Sequence, residues 1–137
     1  IQQMNAVSKE RGMASSEFVD PAGVNDENLS TARDITRAII ATAHHPVLST
    51  VASATHWDAP VGPKGVLRRL FTTNRLIGSP RIEFAAAKTG YTYTTRNCYT
   101  AVLQTDGRNL AITTLGSFWS RDRWKDVRTL IDWSRNR

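Results

Sequence analysis

The stretch from Asn97 to Gln104 constrains this fold more than any other. Side chains alternate along a strand, which puts Tyr99, Ala101 and Leu103 on one face and Cys98, Thr100 and Val102 on the other, so that both faces are largely apolar. A strand of that kind belongs to a sheet covered on both sides. Its neighbours follow from the turn residues around it: a strand carrying Lys88 comes after Gly78-Ser79-Pro80, and a third runs from about Leu110 to Phe118 beyond a turn at Asp106-Gly107. The three read as an antiparallel meander. Arg121 to Arg135 forms an amphipathic helix with Trp124, Val127, Leu130 and Ile131 as its buried stripe and Trp133 at the margin, enough to cover one face. The other face falls to helices nearer the N-terminus. The predicted class is therefore α+β, with three C-terminal antiparallel strands packed between a C-terminal helix and N-terminal helices.

Those helices are legible. Ile1, Met4 and Val7 or Ser8 recur at helical spacing, and Gly12 stands where a helix closes. Phe18 to Asn28 is a turn-rich connection. Thr31 with Asp34 makes a capping box for a helix whose stripe is Ile35, Ala38, Ile39 and the methyl of Thr42, ended by His44, His45 and Pro46. Pro46 to Ala52 suits a further short helical turn. Pro60, Gly62, Pro63 and Gly65 crowd the next stretch with turn residues, and Val66 to Thr73 alternates as a short strand or ribbon. With 137 residues, 40% of them hydrophobic, the chain makes one domain with a real core. Its net charge of +6 favours anionic surroundings, whether nucleic acid, an acidic envelope or a carboxylate-bearing substrate. The one cysteine, Cys98, excludes an internal disulfide framework and reads as a buried, inert thiol. No apolar run reaches the length of a membrane span, and the N-terminus has neither a start methionine nor a signal pattern, so a mature, processed or truncated chain is expected.

Chemistry concentrates in Ile82 to Thr92, where apolar strand, cation, hydroxyl and glycine follow one another directly. Ala85, Ala86 and Ala87 allow close packing before Lys88, and Gly90 removes the Cβ where a ligand would approach. Lys88 and Thr89 leave the strand on opposite faces, so both reach one substrate only if the strand edges a cleft. Lys88-Thr89-Gly90 is a KTG tripeptide of the kind found in serine β-lactamases and penicillin-binding proteins. Around it stand, in order, Met4-Asn5-Ala6, Gly12-Met13, Phe18-Val19-Asp20-Pro21-Ala22-Gly23-Val24, Asn28-Leu29-Ser30-Thr31-Ala32-Arg33-Asp34, Asn74 with Leu76-Ile77-Gly78, and Tyr91-Thr92. Along nearly its whole length the chain resembles the D-alanyl-D-alanine carboxypeptidase and endopeptidase family of low-molecular-mass penicillin-binding proteins.

The resemblance implies a β-lactamase-like transpeptidase fold and a serine-type D-Ala-D-Ala peptidase. Its substrates would be peptidoglycan stem peptides, its inhibitors β-lactams, its location periplasmic or otherwise extracytoplasmic, and it would need no cofactor. Lys88 would raise the potential near the nucleophile. Thr89 would hold the terminal carboxylate, Gly90 would give the substrate room, and the Tyr91 backbone N–H would be an oxyanion-hole donor. Asn74 matches a position near the cleft, although a side chain holding a turn explains it equally well. Thr92 continues the motif as a substrate-binding residue. Arg75, from its charge and paired donors, is a candidate carboxylate clamp.

The resemblance also exposes a gap. The family's SxxK motif is absent, and the one SxN match, Ser134-Arg135-Asn136, lies in the last turn of a helix. The expectation is that residues 1–137 are the C-terminal portion of a single DD-peptidase domain whose N-terminal segment carries the serine. The alternative is a non-catalytic module binding peptidoglycan or a partner protein. Arg96 stands where the family usually places glycine, putting a bulky cation near the cleft mouth. His44, His45, His56 and Asp58 invite a metal reading, but adjacent histidines cannot share a helical face, and none is assigned. Arg121, Lys125 and Arg128 read as a solvated helix face, and no basic-aromatic interleaving marks a nucleic-acid platform.

Overall fold

The computed structural model describes residues 1–136. The element order is α1 (Gln2–Glu10), α2 (Ala32–His44), α3 (Pro46–Ser53), β1 (His56–Val61), β2 (Val66–Phe71), β3 (Glu83–Thr92), β4 (Arg96–Thr105), β5 (Arg108–Ser117) and α4 (Ser120–Arg135). β3, β4 and β5 form an antiparallel sheet in that order, while β1 and β2 make a separate two-stranded ribbon. The turn between β4 and β5 falls at Asp106-Gly107, where both residues have positive φ, the conformation that matches the twist of a two-residue hairpin.

The predicted sandwich is present. Tyr99, Ala101 and Leu103 of β4 pack with Trp124, Val127 and Ile131 of α4 in one apolar cluster that also takes in Leu76, Ala87 and Ile112. On the opposite side α2 lies across β3, β4 and β5, and α3 lies on β3. There the contact is partly polar: the Thr36 hydroxyl meets that of Thr113 at 2.7 Å, and Thr113 meets Thr100 at 2.8 Å. The threonine chain satisfies hydroxyls that the sheet would otherwise bury unpaired. A bulge between Phe84 and Ala86 offsets the β3 register, and the Ala85 carbonyl accepts the Ser49 hydroxyl of α3 at 2.8 Å.

Three expectations change in detail. The buried stripe of α4 is Arg123, Trp124, Val127 and Ile131, and Leu130 is 38% exposed. At 100° per residue the centre of that stripe falls beside Val127 and Ile131, which turns Leu130 outward toward the Trp133 side. Cys98 is half-buried rather than enclosed, because it borders a cavity near the end of β3. The capping box is one-sided. Thr31 accepts from the Asp34 N–H at 3.2 Å, but the Asp34 carboxylate turns away to the Ser15 N–H at 2.8 Å, the Ser16 hydroxyl at 3.0 Å and the Arg37 guanidinium at 2.8 Å. It thereby ties the segment after α1 to α2. Of the two alternatives on α1, Ser8 is the buried one.

Asp20 organises the connection between α1 and α2. Its carboxylate accepts from the backbone N–H groups of Ala22, Gly23, Val24 and Asn25 and from the Asn28 amide. Those donors, led by Asn25, hold the carboxyl below its ordinary value of 3.8 against the opposing effect of desolvation. Asp34 is also held below 3.8: desolvation raises it, but the donors from Ser15, Ser16 and Arg37 outweigh that.

A Leu103→Ala change removes a fully buried side chain and is expected to cost about 2–5 kcal/mol in denaturant unfolding, whereas Leu130→Ala should cost under about 1 kcal/mol. Equal costs would contradict the assigned stripe. Because both carboxyls titrate lower in the folded state, their stabilisation is present above pH 3.8 and is lost as pH falls below it. An Asp20→Asn, Asp34→Asn variant should accordingly show a flatter acid-unfolding profile below that pH, measured by circular dichroism.

Candidate functional site

β3 is an edge strand, with one side hydrogen-bonded to β4 and the other open. Lys88 pairs with Thr100, Thr89 with Tyr99, Gly90 with Cys98 and Tyr91 with Asn97. Lys88 and Thr89 both border two cavities. One, of 690 Å³, lies toward Leu48, Val51, Trp57 and Phe71; the other, of 650 Å³, extends past Gly90 and Cys98 toward Phe18, Gly23 and Leu29. The edge strand therefore divides an open, mostly apolar groove.

Lys88 is exposed, its ammonium donates to the Thr89 carbonyl, and among the described residues no carboxylate pairs with it. The Thr89 hydroxyl meets that of Thr73 at 2.5 Å. A Cβ built on Gly90 would meet only the Cys98 Cβ, at an ordinary 3.7 Å. Nothing among the described residues excludes a side chain there. Tyr91 is exposed, and Thr92 accepts from the Thr95 N–H at 3.0 Å, closing the β3–β4 turn while bordering the second cavity.

Asn74 borders the first cavity but is only 5% exposed, and its carbonyl accepts from the Leu76 N–H at 3.0 Å. The turn-holding role is thus visible in the geometry. Arg75 is exposed and borders neither cavity, although its charge acts on Arg123. The metal candidates are engaged elsewhere: His44 Nδ1 is 2.8 Å from the Ile40 carbonyl, His45 Nδ1 accepts from the Leu48 N–H, and Asp58 is paired with Arg69 at 2.8 Å. Among the described residues no three His, Cys, Asp or Glu side chains converge on a point that would hold a metal.

Arg123 is the residue that the motif does not show. It sits in the first turn of α4 beneath β3, is 8% exposed, and stacks its guanidinium 4.8 Å from the Trp124 ring centroid. Its Nη1 donates to the Gly90 carbonyl at 3.2 Å and to the Cys98 carbonyl at 3.3 Å, clamping the two strands together at the glycine. Burial lowers its affinity for the proton, but no carboxylate neutralises it among the described residues, so a permanent positive charge lies under the KTG backbone. Burial likewise pushes the adjacent Tyr99 hydroxyl far above its ordinary range, only partly offset by the Asn74 side chain and the Arg123 charge. The signal for Arg123 was its spacing: 123, 127 and 131 lie four residues apart on the buried face.

Replacing Arg123 with Met keeps the volume but strips both carbonyls of their donor, at an expected cost of about 1–3 kcal/mol. Amide exchange near Gly90 and Cys98 should accelerate more than at Ala101 to Leu103. Unchanged exchange at Gly90 and Cys98 would remove Arg123 as the clamp.

Residues 1–118 match the model of a family described as D-alanyl-D-alanine carboxypeptidase. The chain is 26% identical over 133 residues to the D-alanyl-D-alanine endopeptidase of Escherichia coli, spanning 97% of this chain and 43% of that protein. The structure superposes on a Streptomyces DD-transpeptidase with a TM-score of 0.86 at 23% identity, over 99% of this chain and 53% of the other. It also superposes on a cefotaxime-bound penicillin-binding protein of Listeria monocytogenes with a TM-score of 0.75 at 26% identity, over 96% and 53% respectively. The chain thus spans about half the length of the proteins it matches. With a family model covering residues 1–118 and the same α+β architecture around the KTG strand, this chain belongs to the D-alanyl-D-alanine carboxypeptidase family.

Proposed function

We propose that the parent protein is a serine-type peptidase acting on D-alanyl-D-alanine linkages of peptidoglycan stem peptides, and that this chain is the C-terminal portion of its catalytic domain. The observation that carries this reading is the open edge of β3, where Lys88 borders the groove with no carboxylate partner among the described residues and Arg123 adds a second positive charge below. One cation on a largely apolar groove and a second beneath its wall attract a peptide that ends in a carboxylate. Thr89 donates its hydroxyl to that carboxylate, exchanging Thr73 for the substrate. Gly90 leaves the approach clear, since its lack of a side chain answers to no close contact among the described residues.

The nucleophilic serine and its lysine base come from the N-terminal segment that carries the SxxK motif, and residues of this chain shape the opposite wall. As the serine oxygen adds to the scissile carbonyl, the Tyr91 backbone N–H stabilises the developing oxyanion. The Lys88 ammonium lowers the cost of negative charge at the reacting centre. The leaving amine, a terminal D-alanine in a carboxypeptidase or a longer peptide in an endopeptidase, takes the proton removed from the serine, and water then hydrolyses the acyl-enzyme. A β-lactam enters as a mimic of the same peptide, its acid group on Thr89, and the stable acyl-enzyme inhibits. The protein works outside the cytoplasm, where its substrate polymer lies; no helix among the described residues is long and apolar enough to cross a membrane.

Fluorescent penicillin followed by intact-mass measurement tests this reading. The 137-residue chain alone should form no adduct, whereas the protein including the serine-bearing segment should label, with Lys88→Ala slowing acylation by about 10²-fold or more. Covalent labelling of the chain alone, or labelling indifferent to Lys88→Ala, would overturn it.

A further inference from the structure

Arg96 departs from the family pattern and is one of only two non-glycine residues with positive φ among those described, at 59°. An L side chain enters this region against steric resistance, and strain kept at a surface turn calls for a compensating contact or a use. The contact is visible. The Arg96 guanidinium lies 4.8 Å from the Tyr93 ring centroid and 4.9 Å from that of Phe118, and Phe118 meets Trp119 edge-on at 4.8 Å. Four consecutive members, Tyr93, Arg96, Phe118 and Trp119, thus join the β3–β4 turn to the end of β5 and the start of α4.

The three rings are not stacked to bury themselves, for each remains between 57% and 77% exposed. A contiguous aromatic surface held open by a cation between its rings marks a binding surface rather than a core. It adjoins the candidate site. Arg96 pairs with Thr92 across the hairpin, and Thr92 and Thr95 border the cavity that runs past Gly90. The Thr94 hydroxyl further fastens the turn to Asp26 of the α1–α2 connection at 2.8 Å. This makes the platform a fixed extension of the groove.

We infer that Tyr93, Arg96, Phe118 and Trp119 form a saccharide platform that carries the glycan backbone of the substrate polymer while the attached peptide lies along β3. The inference rests on the reading of the substrate as peptidoglycan. Pyranose rings present axial C–H groups that pack on the negative faces of aromatic rings, and their hydroxyls take hydrogen bonds from a planar guanidinium. The local acids do not oppose a neutral sugar: Asp26 is bonded to Thr94, Asp122 is paired with Arg121, and Asp126 accepts from Ser117.

The test is titration of N-acetylglucosamine hexamer into the protein, followed by ¹H–¹⁵N spectra and the Trp119 indole signal. Saturable shifts confined to residues 91–96 and 117–121 are expected, with affinity falling about two- to ten-fold in Tyr93→Ala and in Trp119→Ala. Leu67→Ala, which removes an exposed apolar side chain from the β1–β2 ribbon outside both cavities, should leave the affinity unchanged. Arg96→Gly should weaken sugar binding without lowering the unfolding midpoint, because glycine accepts the turn's backbone. No shift, shifts indifferent to the ring variants, or a ring-dependent dimer with no response to sugar would overturn the inference, the last in favour of a protein contact. Sugar binding needs no nucleophile, so its failure and a failure to label with penicillin are separate results.

Discussion

The structure depends on the burial of β4 from both sides. Tyr99, Ala101 and Leu103 can leave water only if α4 lies across one face, while Thr100 is enclosed only where α2 lies across the other. Once both layers are in place, β4 is central and its neighbours β3 and β5 are edges by necessity. The chemistry sits on an edge because a central strand has no free side to offer. Burial at Tyr99 and access at Thr89, its direct partner on β3, are thus two consequences of a single arrangement.

Electrostatics at that edge is asymmetric. Lys88 is exposed and adjustable, whereas Arg123 is buried, held by two carbonyls and braced on Trp124. The second charge costs desolvation, as the lowering of its proton affinity shows, yet the guanidinium stays charged because its intrinsic basicity is so high. A lysine in that position would have surrendered its proton more readily. The same helix that closes the core therefore places a fixed charge under the glycine of the motif, linking packing to chemistry through one side chain.

Much of the fold was readable because period and turn chemistry act locally. The three strands, the Asp106-Gly107 turn, the α2 cap at Thr31 and the amphipathic α4 all follow from residues within one element. What the sequence leaves open involves partners far apart in the chain. Asp34 leaves its own helix end for Ser15 and Ser16, and Cys98 is half-buried because it borders a cavity lined also by residues of the α1–α2 connection. The hairpin from His56 to Phe71 is only half legible, since Pro60 and Gly62 obscure β1 whereas the residues after Gly65 read as a short strand or ribbon. Arg96 stands out in the sequence as a cation near the cleft mouth, but its place against Tyr93 and Phe118 is set only by the turn and by the residues after β5 together.

By itself the sequence determined most element types outside β1, the two-sided burial of β4 and the order of motifs that points to the D-alanyl-D-alanine carboxypeptidase family, because periodicity and motif order are properties of neighbouring residues. Only the tertiary structure decided that Lys88 and Thr89 divide two cavities, that Asn74 is turned into a buried hydrogen-bonded turn, and that Arg123 clamps Gly90 from 33 residues away. The physical reason is that a groove, and the charge beneath it, exist only between elements, and the distances between elements are set by packing rather than by sequence spacing.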